Sequence, residues 1–156
     1  MKLGVKTGFA LFVLLFAASV GAAGPVTSPN EAKLVGAWQQ GMTPQIAAWN
    51  EKQLAMAKKA GLLGAVTEYN ADHTFVMYPP CGPKRDDLRK AGLESIKGTW
   101  KLNEAGDLIT QIDAMGRSMK LENKLTWQEG QMITLNKNGS VAQKAGRYVG
   151  PLPPGC

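Results

Sequence analysis

The sequence has very few of the residues on which enzymes most often depend. It contains one histidine, His73, and two cysteines, Cys81 and Cys156, among 156 residues. One histidine cannot provide the pair that many zinc sites use, and a Ser-His-Asp or Cys-His mechanism would need His73 itself. His73 lies in NADHTF, a pattern typical of an exposed hairpin turn. We therefore expect no enzymatic activity, no metal site and no cofactor.

The sequence also lacks the signatures of nucleotide and nucleic-acid binding. It has no P-loop and no Rossmann glycine pattern. Its basic residues are mixed with acidic ones, as in KRDDLRK at 84–90, so we expect no nucleic-acid partner. The adjacent Asp86 and Asp87 of that stretch indicate a solvated cluster rather than the paired carboxylates of a glycosidase.

One long apolar run is present, and it lies at the start of the chain. Lys2 and Lys6 precede the apolar run FALFVLLFAA at 9–18, and the small residues SVGAA follow it up to Ala23. A basic start, a short apolar run and small residues predict a signal peptide of residues 1–23. The apolar run is too short for a membrane-spanning helix, which needs about 20 apolar residues. Cleavage after Ala23, or alternatively after Ala22, leaves residues 24–156 as a single domain. The signal has a bacterial style, so we expect a periplasmic or secreted protein without a transmembrane segment after cleavage.

The mature chain is mildly basic and carries both cysteines. Loss of Lys2 and Lys6 leaves 16 basic residues against 12 acidic ones, a net charge of +4. That charge favours weak attraction to an anionic surface or an acidic partner. In an oxidising compartment an isolated pair of cysteines usually bonds, so we predict a Cys81–Cys156 disulfide that holds the C-terminal tail. A redox or metal pair is the alternative, and the absence of C-x-x-C disfavours it.

The hydrophobic pattern changes period along the chain. A stripe of helical spacing predicts one substantial helix at about 44–60, with Thr43 as its cap and Gly61 at its end. Alternating residues predict a first strand at 33–40, a hairpin with strands at 65–69 and 74–78, and further short strands after residue 95. The expected fold is mainly β, an antiparallel up-and-down barrel or sandwich of about seven to eight strands with the helix after the first strand.

Four short motifs carry a resemblance to a known family. They are GAW at 36–38, YNADHTFVMYP at 69–79, IKGTWKLNEAGDLI at 96–109 and GRYVG at 146–150. Over residues 33–149 the chain resembles bacterial lipocalin-like (calycin-type) small β-barrel domains. That resemblance implies that Trp38 packs at the closed end of a barrel under Arg147, and that Cys81 and Cys156 tie the barrel to its C-terminal segment.

Physical reasoning supports a structural role for the strand tryptophans. Gly36 leaves room beside Trp38, and a buried tryptophan near a chain end can fill the floor of a barrel. An arginine stacked on that ring would add about 0.5–2 kcal/mol. We therefore predict structural roles for Trp38, Trp100 and Arg147, with a ligand-stacking platform as the alternative for Trp38.

Two functions remain compatible with these features. The first is a monomeric binding protein that holds a small apolar or amphipathic ligand inside the barrel. The second is a periplasmic inhibitor or immunity protein that binds an envelope protein through the charged loop 84–90. The candidate ligand residues are Met77, Met115, Met119, Met132 and Tyr148, and the candidate partner contacts are Lys84, Arg85, Arg89 and Lys90.

Overall fold

Eight antiparallel strands form the centre of the structure, a computed structural model that describes residues 28–59, 63–92, 94–114 and 117–155. Each strand pairs with the next, and the last pairs with the first, so the sheet closes into an up-and-down barrel. The barrel alternative of the sequence prediction is therefore correct. The strands are β1 (Gly36–Gln40), β2 (Val66–Tyr69), β3 (Thr74–Tyr78), β4 (Ile96–Leu102), β5 (Leu108–Ala114), β6 (Arg117–Gln128), β7 (Gln131–Leu135) and β8 (Val141–Arg147).

Within the described residues, four short helices accompany the barrel. They are α1 (Pro29–Leu34), α2 (Pro44–Ala47), α3 (Glu51–Lys59) and α4 (Pro83–Lys90). None of these helices combines the length and the apolar character needed to span a membrane. The expected signal peptide, residues 1–23, lies outside the described residues.

The segment expected to form one helix at 44–60 forms two. Asn50 separates them, because its side chain accepts a hydrogen bond from the Gln53 amide at 2.9 Å. The Gln53 side chain in turn accepts from the Asn50 amide at 2.9 Å. This reciprocal cap starts a new helix at Glu51 and prevents α2 from continuing through Asn50.

The first strand begins later than the sequence suggested. Residue 33 belongs to α1 rather than to β1, which starts at Gly36. Ser28 and Glu31 form a capping box: the Glu31 amide donates to Ser28 Oγ at 3.1 Å, and the Ser28 amide donates to the Glu31 carboxylate at 3.2 Å. The sequence SPNE carries the S-x-x-E signature of such a start, so α1 was predictable from a motif that the strand assignment overlooked.

The β2–β3 hairpin matches its prediction closely. Thr74 donates from its amide and from its hydroxyl to the Asp72 carboxylate, at 3.0 and 2.6 Å. The hydroxyl and then the amide hold the pKa of Asp72 below its usual value. His73 adopts a positive φ of 63° in this turn. The expectation that His73 is exposed is wrong, because its side chain is mostly covered and lies against α1 and Trp100.

The core lies at one end of the barrel, which we call the closed end. It lies where the β2–β3, β4–β5 and β6–β7 turns meet the start of β1 and the end of β8. The β1–β2, β3–β4, β5–β6 and β7–β8 connections lie at the opposite end, which we call the open end. The buried core residues are Leu34, Trp38, Tyr69, Phe75, Trp100, Leu108, Met132 and Ala145.

Candidate binding site

Trp38 is the central side chain of the closed end. It is 2 % exposed, and its Nε1 donates a hydrogen bond to the Leu34 carbonyl oxygen at 2.7 Å. The Trp127 ring packs against it with centroids 5.3 Å apart. On the barrel sheet, Trp38 is the direct cross-strand partner of Arg147. These contacts make Trp38 part of the packed floor, with its indole N–H already bonded to the chain.

Two cations enclose the tryptophan pair. Arg147 Cζ lies 4.0 Å from the Trp38 ring centroid, and Lys33 Nζ lies 4.5 Å from the Trp127 ring centroid. Arg147 also donates to the Val35 and Lys33 carbonyl oxygens at 2.7 and 2.6 Å. Desolvation lowers the pKa of the Arg147 guanidinium from its usual value. The arginine therefore fixes the end of α1 over the floor of the barrel.

Gly36 makes this arrangement sterically possible. Its φ of 120° lies in a region that residues with a Cβ rarely adopt, and a Cβ there would collide with the Arg147 guanidinium. From the sequence, the space beside Gly36 was expected to hold the tryptophan ring. In the structure the arginine fills it.

Trp100 belongs to the same closed end but contacts a different part of it. Its Nε1 donates to the Asn70 carbonyl oxygen at 3.1 Å, and its ring lies 4.8 Å from that of His73. His73 Nε2 is 3.3 Å from Glu31 Oε1 in α1. This contact links the β2–β3 turn to α1. Among the residues that the structure describes, no three His, Cys, Asp or Glu side chains form a group suited to a metal ion.

The open end has an apolar inner face. Residues directly opposite each other on paired strands lie on the same side of a sheet. The buried Phe75 faces Gly98 on β4, Gly98 faces Ile112 on β5, and Ile112 faces Met119 on β6. Extending this rule toward the open end defines what we call the inner apolar face: Met77, Ile96, Ile112, Met119 and Leu121.

The β6 side of this face is open to solvent. Met119 is 51 % exposed and Leu121 is 46 % exposed, although both point to the barrel side of the sheet. The reason is that β6 is longer than its neighbour β7. Residues 117–123 of β6 pair with β5, whereas pairing with β7 begins only at Lys124. We call 117–122 the free edge of β6, because no other strand of the described structure pairs with it.

The predicted ligand residues do not form one group. Met77 and Met119 share the inner apolar face, as described above. Met132 is fully buried in the closed-end core, opposite Trp127 and Ala145. Met115 lies outside the described residues. Tyr148 follows β8 on the outer wall, where its hydroxyl donates to the Pro151 carbonyl oxygen at 3.3 Å.

Three of the inner-face residues escaped prediction from the sequence. Ile96, Ile112 and Leu121 were read only as strand residues. The alternation in SMKLENKLTW at 118–127 places Met119 and Leu121 on one side of β6. Which side faces the barrel depends on register, and register became known only from the pairing with β5.

The charged loop 84–90 is a helix, and one of its cations faces inward. Arg85 is 7 % exposed. Its Nη2 donates to the Pro154 carbonyl oxygen at 2.9 Å, and its Nη1 lies 3.6 Å from Cys81 Sγ. Its guanidinium thus holds the C-terminal tail and is largely withdrawn from the surface, and a role of Arg85 as a partner contact stays a prediction.

The other cations of α4 differ from Arg85. Arg89 and Lys90 are exposed, and Lys90 Nζ lies 3.7 Å from Asp87 Oδ1. Lys84 stands in the first turn of α4. Arg89 and Lys90 therefore remain on the surface of α4, from which Arg85 is withdrawn.

The predicted disulfide falls partly on a residue outside the described chain, Cys156. Cys81 Sγ lies 3.4 Å from the carbonyl oxygen of Gly155, the neighbour of Cys156. The C-terminal tail thus reaches Cys81, and the disulfide itself stays a prediction.

Two clefts on the outer wall are alternatives to the inner face. One has a volume of about 450 Å³ and is lined by His73, Lys101 and Lys120 among others. The other, about 320 Å³, lies between Tyr78, Arg85 and Tyr148. The first cleft also contacts Trp100 and Ile109, and the second also contacts Val66 and Pro79, so both mix polar and apolar side chains. The five side chains of the inner apolar face are all apolar.

Comparison with known protein families, with curated proteins and with solved structures finds no match for this chain. The closed eight-stranded barrel is compatible with a lipocalin-like architecture.

Proposed function

We propose that this chain is an exported, non-enzymatic binding protein of lipocalin-like type, active in the bacterial periplasm or outside the cell. Its ligand is a small apolar or amphipathic molecule that covers the inner apolar face. The observation that carries this proposal is the exposure of Met119 and Leu121 on the barrel side of β6.

The energetic argument starts from the cost of that exposure. Large apolar side chains gain about 25 cal/mol for each Å² of surface removed from water. Natural domains place most such side chains in the core, and contiguous exposed ones often mark a binding surface. Here the two residues adjoin Ile112 and Thr110 across the β5–β6 ladder, so a ligand on β6 also contacts β5.

The closed end supplies a rigid support for this surface. The inner face continues from Met119 and Leu121 toward Leu125 and Trp127, which pack on the core. A ligand would therefore meet a floor that is already packed and hydrogen-bonded. Such preorganisation lowers the ordering cost of binding.

Arg117, at the start of β6, adds a reason to expect amphipathic ligands. Arg117 lies two residues before Met119 on the same side of β6, opposite Ala114. It is exposed, so its charge stays in water while the face below it is apolar. A molecule with an anionic group and an apolar body matches this order of side chains.

An anionic apolar dye, 8-anilinonaphthalene-1-sulfonate, tests the proposal. The full chain is expressed with export in a bacterium, and dye fluorescence is titrated against the purified protein. We expect saturable binding that weakens about tenfold or more when Met119→Gln and Leu121→Asn are combined, because about 1.4 kcal/mol of apolar contact is lost.

Met56→Gln is the matched control, because Met56 is an exposed methionine on α3 rather than on the barrel wall. Equal dye binding by the control and by the double variant would show that the dye does not occupy the inner face. Absence of saturable dye binding to the wild-type protein would also contradict the proposal.

A further inference from the structure

The free edge of β6 is an unpaired strand edge with apolar side chains. Residues 117–122 are all exposed, and they bond to β5 on one side only. In an antiparallel strand, alternate residues direct their N–H and C=O groups away from the paired neighbour. Such an edge can accept a further strand through backbone hydrogen bonds.

Natural barrels usually close such edges, and the sheet closes here as a whole although several strands pair over only part of their length. The eight strands pair in a complete circle, including β8 with β1. The longest unpaired stretch is the N-terminal part of β6, because β7 ends at Leu135, opposite Lys124. Residues 141–143 of β8 form a shorter one, without a strand partner on the β1 side. The edge is therefore a local feature of one segment and not a consequence of an open sheet.

We propose that the free edge pairs with the free edge of a second copy of this chain, in antiparallel orientation about Leu121. The two sheets would then continue through β5–β6 of one copy into β6–β5 of the other. This pairing departs from the sequence-based expectation of a monomer, and it uses Leu121, which the proposed ligand surface also includes.

Charge complementarity favours pairing between two copies in this register. When Leu121 lies opposite Leu121 of the second copy, Lys120 lies opposite Glu122 of that copy, and the same pair forms again across the twofold axis. Opposite charges in directly facing positions stabilise a strand pair, and like charges destabilise it. A shift of the twofold axis to Lys120 would instead place the two Lys120 side chains opposite each other.

The apolar side chains fit the same register. The two Leu121 side chains meet on the inner side of the joined sheet, and Met119 faces Asn123 of the other copy. Two exposed leucines are thereby partly covered. The contact is short, so we expect weak, concentration-dependent association typical of small interfaces.

Sedimentation velocity over a concentration series, with the full chain exported and purified, tests the pairing. Wild-type protein should shift from monomer to dimer as concentration rises. Lys120→Glu places a second carboxylate opposite Glu122, and Glu122→Lys places a second ammonium group opposite Lys120. Each single reversal should raise the dimer dissociation constant about tenfold.

Mixing the two variants provides the decisive measurement. A Lys120→Glu chain and a Glu122→Lys chain present two negative and two positive charges to each other, so the mixture should recover dimer at the wild-type level. Glu104→Lys is the control, because this exposed residue lies in the β4–β5 turn at the closed end.

Two results would overturn the proposal. One is a wild-type protein that stays monomeric up to about 1 mM. The other is a dimer that neither single reversal weakens, because such a dimer would use another surface.

Discussion

Arg147 and Trp38 form a stacked pair that also latches the N-terminal helix. The arginine lies 4.0 Å above the indole centroid and donates to two carbonyl oxygens at the end of α1. One side chain thus covers the floor of the barrel and fixes the segment that closes it. Removal of either residue should therefore weaken the same structure.

We expect Trp38→Ala to reduce the free energy of unfolding by about 3–5 kcal/mol, the range for removal of a large buried aromatic side chain. Arg147→Ala should cost less, and the double variant should lose less than the sum of the two, because the residues touch. Urea unfolding of all three variants measures this. Trp49→Ala, at an exposed tryptophan, is the control and should change stability little. Additive losses would show that the pair is not coupled.

Gly36→Ala should destabilise the protein through the same pair. The methyl group would meet the Arg147 guanidinium, and the backbone would be strained at φ 120°. We expect a loss of about 1–3 kcal/mol or more. Gly106→Ala is the matched control, since Gly106 also has a positive φ but nothing lies within 4 Å of an added Cβ. A larger loss at Gly106 than at Gly36 in thermal unfolding would contradict the collision.

The predicted Cys81–Cys156 bridge can be counted directly. Thiol titration of the unreduced, denatured protein should find no free thiol, whereas two thiols per chain would disprove the bridge. Cys156→Ser should lower stability by a few kcal/mol at most, because the barrel retains its own core. Arg85→Ala should loosen the same tail without breaking the bridge, since Arg85 binds the Pro154 carbonyl oxygen. Limited proteolysis from the C-terminus would measure that loosening.

Tyr69 predicts how stability falls at alkaline pH. Desolvation by burial raises the pKa of its hydroxyl well above the ordinary value of about 10. The unfolded chain therefore loses this proton first, and stability that is complete below about pH 10 declines as the pH rises above it. Tyr69→Phe should flatten that decline in urea unfolding between about pH 9 and 11, whereas Tyr148→Phe should leave it unchanged. An unaltered slope in Tyr69→Phe would exclude Tyr69 as its source.

Local patterns in the sequence predicted the strands well and the helices less well. The β2–β3 hairpin follows from alternation and a turn, both of which act over a few residues. The break at Asn50 depends on a capping contact that competes with a continuous helical stripe. Propensity alone could not decide between the two.

The candidate site was harder to predict because it depends on long-range register. Four methionines on different strands look equivalent in the sequence, yet Met132 is buried in the core and Met119 is exposed on β6. The burial of Arg85 also depends on a long-range contact. A charged run typically indicates solvated side chains, and the tail residue that binds Arg85 lies 69 positions further along the chain.

The latch formed by Arg147 has a consequence for the timing of folding. Its two hydrogen bonds to α1 join residues that are 112 and 114 positions apart in the chain. Contacts of such high sequence separation carry a large loop-closure entropy and form late. During synthesis, α1 leaves the ribosome long before Arg147 has been made, so the floor of the barrel cannot assemble on a nascent chain. The proposed export is compatible with this order, because a chain whose floor is incomplete has not yet reached its full stability.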